Sequence, residues 1–112
     1  MSNGVPLYKH VAALVAGPWN YNGNNMLVAG ATFPEELGEI RRIVGNMPLL
    51  VPGVGVQGGD LEGVLKYGLT PEKTGLVINS SRGIIYASSG EDFAQKAGGE
   101  ALKLKEAINA FR

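Results

Sequence analysis

The stretch "LLVPGVGVQGGD", Leu49 to Asp60, is where the fold of this chain is decided. An apolar run reaches Pro52, and Gly53, Gly55 and Gly58 follow at G-x-G-x-x-G spacing before Asp60 opens a segment with Leu61, Val64 and Leu65 at helical spacing. Strand, glycine turn and helix in that order describe a dinucleotide-binding turn, but equally any βα unit of a parallel sheet. The flanking sequence has to separate the two.

Upstream, Met26 to Ala29 is a short apolar run that reads as a strand buried on both faces. Thr32 and Glu35 then form a capping box, and Leu37, Ile40, Ile43 and Val44 make a buried helical stripe ended by Gly45. Further upstream, Leu7, Val11, Leu14 and Val15 behind Pro6 predict a helix over about Pro6 to Ala16, and "GPWNYNGNN" predicts a loop. Downstream, Asp60 is the expected cap of a helix ending near Gly68, and Leu76 to Ile78 is a third strand. Phe93, Ala97, Ala101, Leu104, Ile108 and Phe111 predict a long amphipathic tail helix, with Lys and Arg near its end to suit the helix dipole. Strands alternating with helices imply a parallel sheet joined by crossovers. Three such strands leave two unpaired apolar edges, so the chain is expected to associate, with a second copy or with a missing N-terminal segment.

A dinucleotide site needs an acidic residue at the end of the next strand to hold the ribose hydroxyls. Here that strand ends in Asn79, Ser80, Ser81 and Arg82, and the acid is missing. What the pattern offers instead is two loops that can face one anion. Gln57, Gly58 and Gly59 follow one strand, and Ser81, Arg82 and Gly83 follow the next. Glycine lets backbone N–H groups approach an anion unobstructed, and an arginine adds a two-pronged charged contact. Ile84 to Ala87 is the right length for a short helix with its positive end on the same group, as at the phosphate site of many (β/α)8 enzymes. The plainer alternatives stay open: Gly58 and Gly59 as turn residues, Arg82 as a solvated charge, and Asp60 as a helix cap and not an acid catalyst.

Composition narrows the class. At 112 residues the chain is one domain, 1–112, well short of the roughly 250 residues of a complete (β/α)8 barrel. Ten basic and ten acidic residues cancel, which argues against nucleic acid or an anionic membrane as partner. No apolar run has the length of a membrane span, and Met1 to Val5 lacks the pattern of a signal peptide. Absence of cysteine removes thiolate chemistry and disulfides and fits a cytoplasmic protein. His10 stands alone on the first helix and reads as a solvated side chain, not a metal ligand. Trp19 and Tyr21 read as loop anchors against the core, and Tyr86 as a packing residue.

Taken together, "GNNMLVAGATFPEEL", "MPLLVPGVGVQGGD" and "INSSRGIIYASSGEDF" resemble the C-terminal half of the orotidine 5′-phosphate decarboxylase family, from about Pro6 to Arg112. The resemblance implies an α/β fold that is part of a (β/α)8 TIM barrel, the three strands being the last three. It implies binding of orotidine 5′-phosphate or UMP, with Gln57 at the phosphate and the pyrimidine, Pro52 lining the pyrimidine pocket, and Arg82 gripping phosphate beside Ser81 and Gly83. It implies neither metal nor organic cofactor, and a dimeric or otherwise oligomeric enzyme. The family replaces the orotate carboxylate by a proton with a lysine and aspartates in a D-x-K-x-x-D or K-R-G-D type segment. No such segment occurs here, and Lys66 and Lys73 read as surface residues on or after a helix. No catalytic residue is therefore expected in this chain, and the lysine-bearing half is expected from elsewhere. The alternatives are a non-catalytic phosphate-binding or assembly half-barrel, or another phosphate-binding barrel enzyme that shares only the grip.

Overall fold

The structure, a computed structural model, describes residues 4–55 and 60–112. The order is α1 (Leu7–Ala16), β1 (Leu27–Val28), α2 (Pro34–Val44), β2 (Leu49–Val51), α3 (Leu61–Gly68), β3 (Leu76–Ile78), α4 (Arg82–Ile85) and α5 (Phe93–Phe111). The strands form a parallel sheet in the order β1-β2-β3, with Val28 beside Leu50 and Leu50 beside Val77. The alternation expected from the sequence is present, with element boundaries within a residue or two of those expected.

The two faces of the sheet differ because side chains alternate along a strand. Leu49 and Val51, with Leu27, Leu76 and Ile78 beside them, pack against the helices, where Leu37, Val64 and Leu65 close the core. Burying Leu37, Leu49, Val51, Val64 and Leu65 almost completely stabilises the fold by roughly 1.5–3 kcal/mol per side chain. The opposite face carries Val28, 66% exposed, and Val77, 51% exposed, on either side of Leu50. β1 is therefore not buried on both faces as its apolar sequence suggests, because nothing among the described residues covers that side. The stripe on α1 meets the same fate: Leu7, Val11 and Leu14 are exposed and only Ala12 is buried.

At the N-terminal ends of the strands the chain is fastened by Arg41. This residue, on the last turn of α2, is only 9% exposed. Its Nε donates to the carbonyl of Gly68 at 2.6 Å, its Nη1 to those of Gly45 and Met47 at 2.7 Å each, and its Nη2 to that of Gly75 at 2.9 Å. The guanidinium fork thus joins the C-terminal ends of α2 and α3 to the residues leading into β2 and β3. Carbonyls at helix ends lack partners within the helix and carry partial negative charge, so they suit a buried cation. Burial pushes the Arg41 pKa below its ordinary value. Close backbone packing occurs in the same region. A Cβ on Gly68 would lie 2.9 Å from Leu37 Cδ2 and 3.2 Å from both Leu76 methyls.

Several local expectations are corrected. The residue flanking α2 is Phe33, with Pro34 in the first turn, and no side chain caps the helix, so Thr32 does not form the capping box with Glu35. Asp60 flanks α3 as expected but makes no side-chain cap bond. The short helix starts at Arg82, two residues before the expected Ile84. The stripe on α5 is at best half-buried, with Phe93 exposed, and its last turn holds no basic residue. Arg112 follows it and donates to the Lys73 carbonyl at 2.8 Å. Trp19, Tyr21 and Tyr86 are exposed and do not anchor against the core. The Asn-rich loop is held instead by Asn25, whose Nδ2 donates to the carbonyls of Val15 and Trp19 while its N–H donates to Asn20 Oδ1. His10 is half-buried, with its Nε2 enclosed and without a hydrogen-bond partner among the described residues, so it is not the solvated side chain expected. Lys66 and Lys73 do lie at the surface, each over a neighbouring ring, Tyr67 and Phe111 respectively.

Candidate functional site

The ladder between strands does not stop where the regular strands stop. Past β1, Ala29 N–H donates to the Leu50 carbonyl at 2.9 Å and Ala31 N–H to the Pro52 carbonyl at 3.2 Å. Past β3, Asn79 N–H donates to the Val51 carbonyl at 3.3 Å. These bonds hold the three loops at the C-terminal end of the sheet in fixed register. They enclose a cleft of about 330 Å³ lined by Gly30 to Thr32, by Pro52 to Val54, and by Asn79 to Gly83.

The chain between Pro52 and Gly55 takes a path only glycine adopts readily: Gly53 has φ +87° and Gly55 φ +100°. Gly55 also passes close to the third loop, where a Cβ would sit 3.5 Å from Ser80 Oγ. On the third loop Ser81 flanks α4 and its carbonyl accepts from Ile85 N–H at 2.7 Å, which turns the chain so that Arg82 opens the helix at the cleft. None of the described residues lining the cleft is acidic, and Arg82 is the one cation among them. A site of this composition suits an anion, because a cation and glycines that permit close backbone approach line it with no carboxylate among the described lining residues. Among the described residues there is no group of His, Asp and Glu placed to hold a metal ion.

Of the residues singled out from sequence, Pro52, Ser81, Arg82 and Gly83 meet in this cleft. Gln57, Gly58 and Gly59 lie outside the described residues. Sequence reasoning missed three polar side chains lining the cleft, Thr32, Asn79 and Ser80. In the sequence Thr32 reads as a helix cap, and Asn79 stands only where an acid is missing. The signal that reveals them is their offset: each follows the end of a strand by one to four residues, where the loops of a parallel sheet converge.

No family model matches the chain, but individual relatives do. It is 54% identical over 109 residues to the orotidine 5′-phosphate decarboxylase of Janthinobacterium sp., a match covering 97% of this chain and 40% of that protein. Among solved structures it superposes on Leishmania donovani UMP synthase with a TM-score of 0.81 and 39% identity, covering 100% of this chain and 24% of the other. It also superposes on Leishmania donovani OMP decarboxylase, with a TM-score of 0.79 and 36% identity, covering 99% and 40% respectively. The chain therefore spans about 40% of the length of the curated relative it matches. Its three parallel strands and flanking helices are a partial segment of the TIM barrel of such enzymes.

Proposed function

We propose that this chain, related over its whole length to a segment of the orotidine 5′-phosphate decarboxylases, forms the phosphate-binding part of a site for orotidine 5′-phosphate and its product UMP. The observation that carries the reading is the cleft at the C-terminal end of the sheet, where Arg82, Ser81 and Gly83 line one side and Pro52 and Gly53 another, with no acidic residue among the described lining residues. In this reading Arg82 grips the phosphate, helped by backbone N–H groups around Ser81 and Gly83. Pro52 gives the ring an apolar wall, and the resemblance adds Gln57, Gly58 and Gly59 to the phosphate-binding residues.

The reaction of a whole enzyme of this kind replaces the orotate carboxylate by a proton, releasing CO2 and leaving UMP. This chain contributes binding energy and orientation to that step. Holding a remote phosphate is a recognised way to drive chemistry elsewhere on a substrate, because binding energy there offsets the cost of desolvation and alignment at the reacting carbon. The proton donor lies outside these 112 residues, since no D-x-K-x-x-D or K-R-G-D type segment occurs in them. The exposed Val28 and Val77 on either side of half-buried Leu50, and the exposed Leu7, Val11 and Leu14 of α1, support association, with the remaining units of a barrel or with a second copy. The reading places the protein in the cytoplasm. Among the described residues no helix is long and apolar enough to cross a membrane. The absence of the lysine segment favours one second reading, a binding or assembly half-barrel without turnover of its own.

Calorimetric titration of the chain with UMP tests the grip. Arg82→Ala is expected to weaken binding by about tenfold or more, as loss of a charged hydrogen bond does. Equal affinity of the two proteins removes Arg82 from the site. Turnover of orotidine 5′-phosphate by the chain alone overturns the assignment of the proton donor to another segment.

A further inference from the structure

Asn79 follows β3, and its side chain belongs to the face of the sheet opposite the core. The alternation runs Leu76 and Ile78 toward the helices, Val77 and Asn79 away from them. Its main chain is fixed, because Asn79 N–H donates to the Val51 carbonyl, whereas its amide makes no hydrogen bond among the described residues. The residue lines the cleft beside Pro52 and three positions before Arg82, so at most about 10 Å of chain separates the two. A fixed backbone, an uncommitted amide and an apolar neighbour describe a group that reads a ligand. A carboxamide offers a donor and an acceptor side by side. An imide edge, with N–H next to C=O, presents the complementary pair.

Resting on the phosphate reading above, we propose that Asn79 is a specificity-determining residue of this cleft, hydrogen-bonding the polar edge of the ligand's pyrimidine ring while Arg82 holds the phosphate. The ring then lies over the Pro52 end of the open sheet face, and the cleft measures a nucleotide from base to phosphate between two residues of a single loop.

The test compares binding of UMP and ribose 5-phosphate to the chain and to its Asn79→Leu and Asn79→Asp variants, with circular dichroism as the folding control. Asn79→Leu keeps the size and removes both polar atoms. It is expected to weaken UMP by about tenfold and to leave ribose 5-phosphate unchanged, whereas Arg82→Ala weakens both. Asn79→Asp keeps the acceptor, loses the donor and adds a carboxylate to the anion-binding cleft, so ribose 5-phosphate is expected to weaken somewhat and UMP to weaken more. Unchanged UMP affinity in Asn79→Leu overturns the proposal, as does equal weakening of the two ligands. A wild-type chain that binds ribose 5-phosphate but gains nothing from the base also overturns it. Failure of the wild-type chain to bind either ligand overturns the phosphate reading itself, and this proposal with it.

Discussion

Replacing Arg41 by methionine removes the guanidinium while keeping a long apolar stem, and the loss of stability follows from the four carbonyls left behind. The bonds to Gly68 and Met47 are buried, and those to Gly45 and Gly75 are partly exposed. Water can replace the guanidinium at the exposed pair, so these cost little. A buried acceptor without a partner costs about 1–3 kcal/mol, which gives roughly 2–6 kcal/mol for the two buried carbonyls. Relief from burying a cation offsets part of this, and a net loss of about 3 kcal/mol remains. Small domains are stable by only about 5–15 kcal/mol, so the transition midpoint in urea should fall conspicuously. Arg41→Lys, a point charge without the planar fork, reaches fewer of the carbonyls and is expected to lose about half as much. The assay is urea unfolding followed by far-ultraviolet circular dichroism.

The pH dependence supplies a second arm of that prediction. Burial lowers the folded pKa of Arg41 below its unfolded value. Between the two values the unfolded chain binds more protons, so the contribution of Arg41 to stability rises with pH only in that strongly alkaline window. Around neutral pH the loss in Arg41→Met should be flat. A loss within about 0.5 kcal/mol of zero, the range of ordinary surface substitutions, would refute the fastening role.

Gly68→Ala introduces a methyl 2.9 Å from Leu37 and 3.2 Å from Leu76, both in or against the core, and is expected to destabilise by about 1–3 kcal/mol in the same unfolding assay. A neutral or stabilising result would mean that α3 can move away from the sheet at that point. Val28→Lys places a charge in the exposed apolar row. It should shift sedimentation toward the single chain while leaving the unfolding free energy of that species within about 0.5 kcal/mol, and an unchanged distribution of species would remove this face from the interface.

The order of helices and strands was readable because period and punctuation agree. Leu37 and Val44 fall on one face of a helix that Gly45, at φ +63°, brings to an end, and the three strands are short apolar runs bounded by turn formers. Local signals do not report what covers a surface. Val28 sits in as apolar a run as Leu49, yet one is two-thirds exposed and the other wholly buried, because they lie on opposite faces of the sheet and the described helices cover only one of them. Arg41 was illegible for a related reason. With Arg42 beside it, it looks like ordinary basic decoration of a helix end, and only the meeting of three distant carbonyls with its own helix end makes it part of the interior. In the cleft, Arg82 and Ser81 could be found because an arginine among small residues after a strand is an anion signal. Asn79 and Thr32 could not, since their polarity takes on meaning only when three loops converge.

Arg41 and the cleft stand at opposite ends of the same three strands, so the fastening and the proposed site draw on different groups. The end that fixes the relative position of helices and strands uses main-chain carbonyls as its acceptors, groups that no side-chain replacement at their own positions deletes. The end that carries the proposed site is lined by residues on loops, whose replacement leaves those carbonyl bonds in place. A library randomised at Thr32, Asn79 and Ser80 should therefore return mostly folded proteins with altered ligand preference, and this small segment has the makings of a scaffold on which new phosphate-ligand specificities are sought.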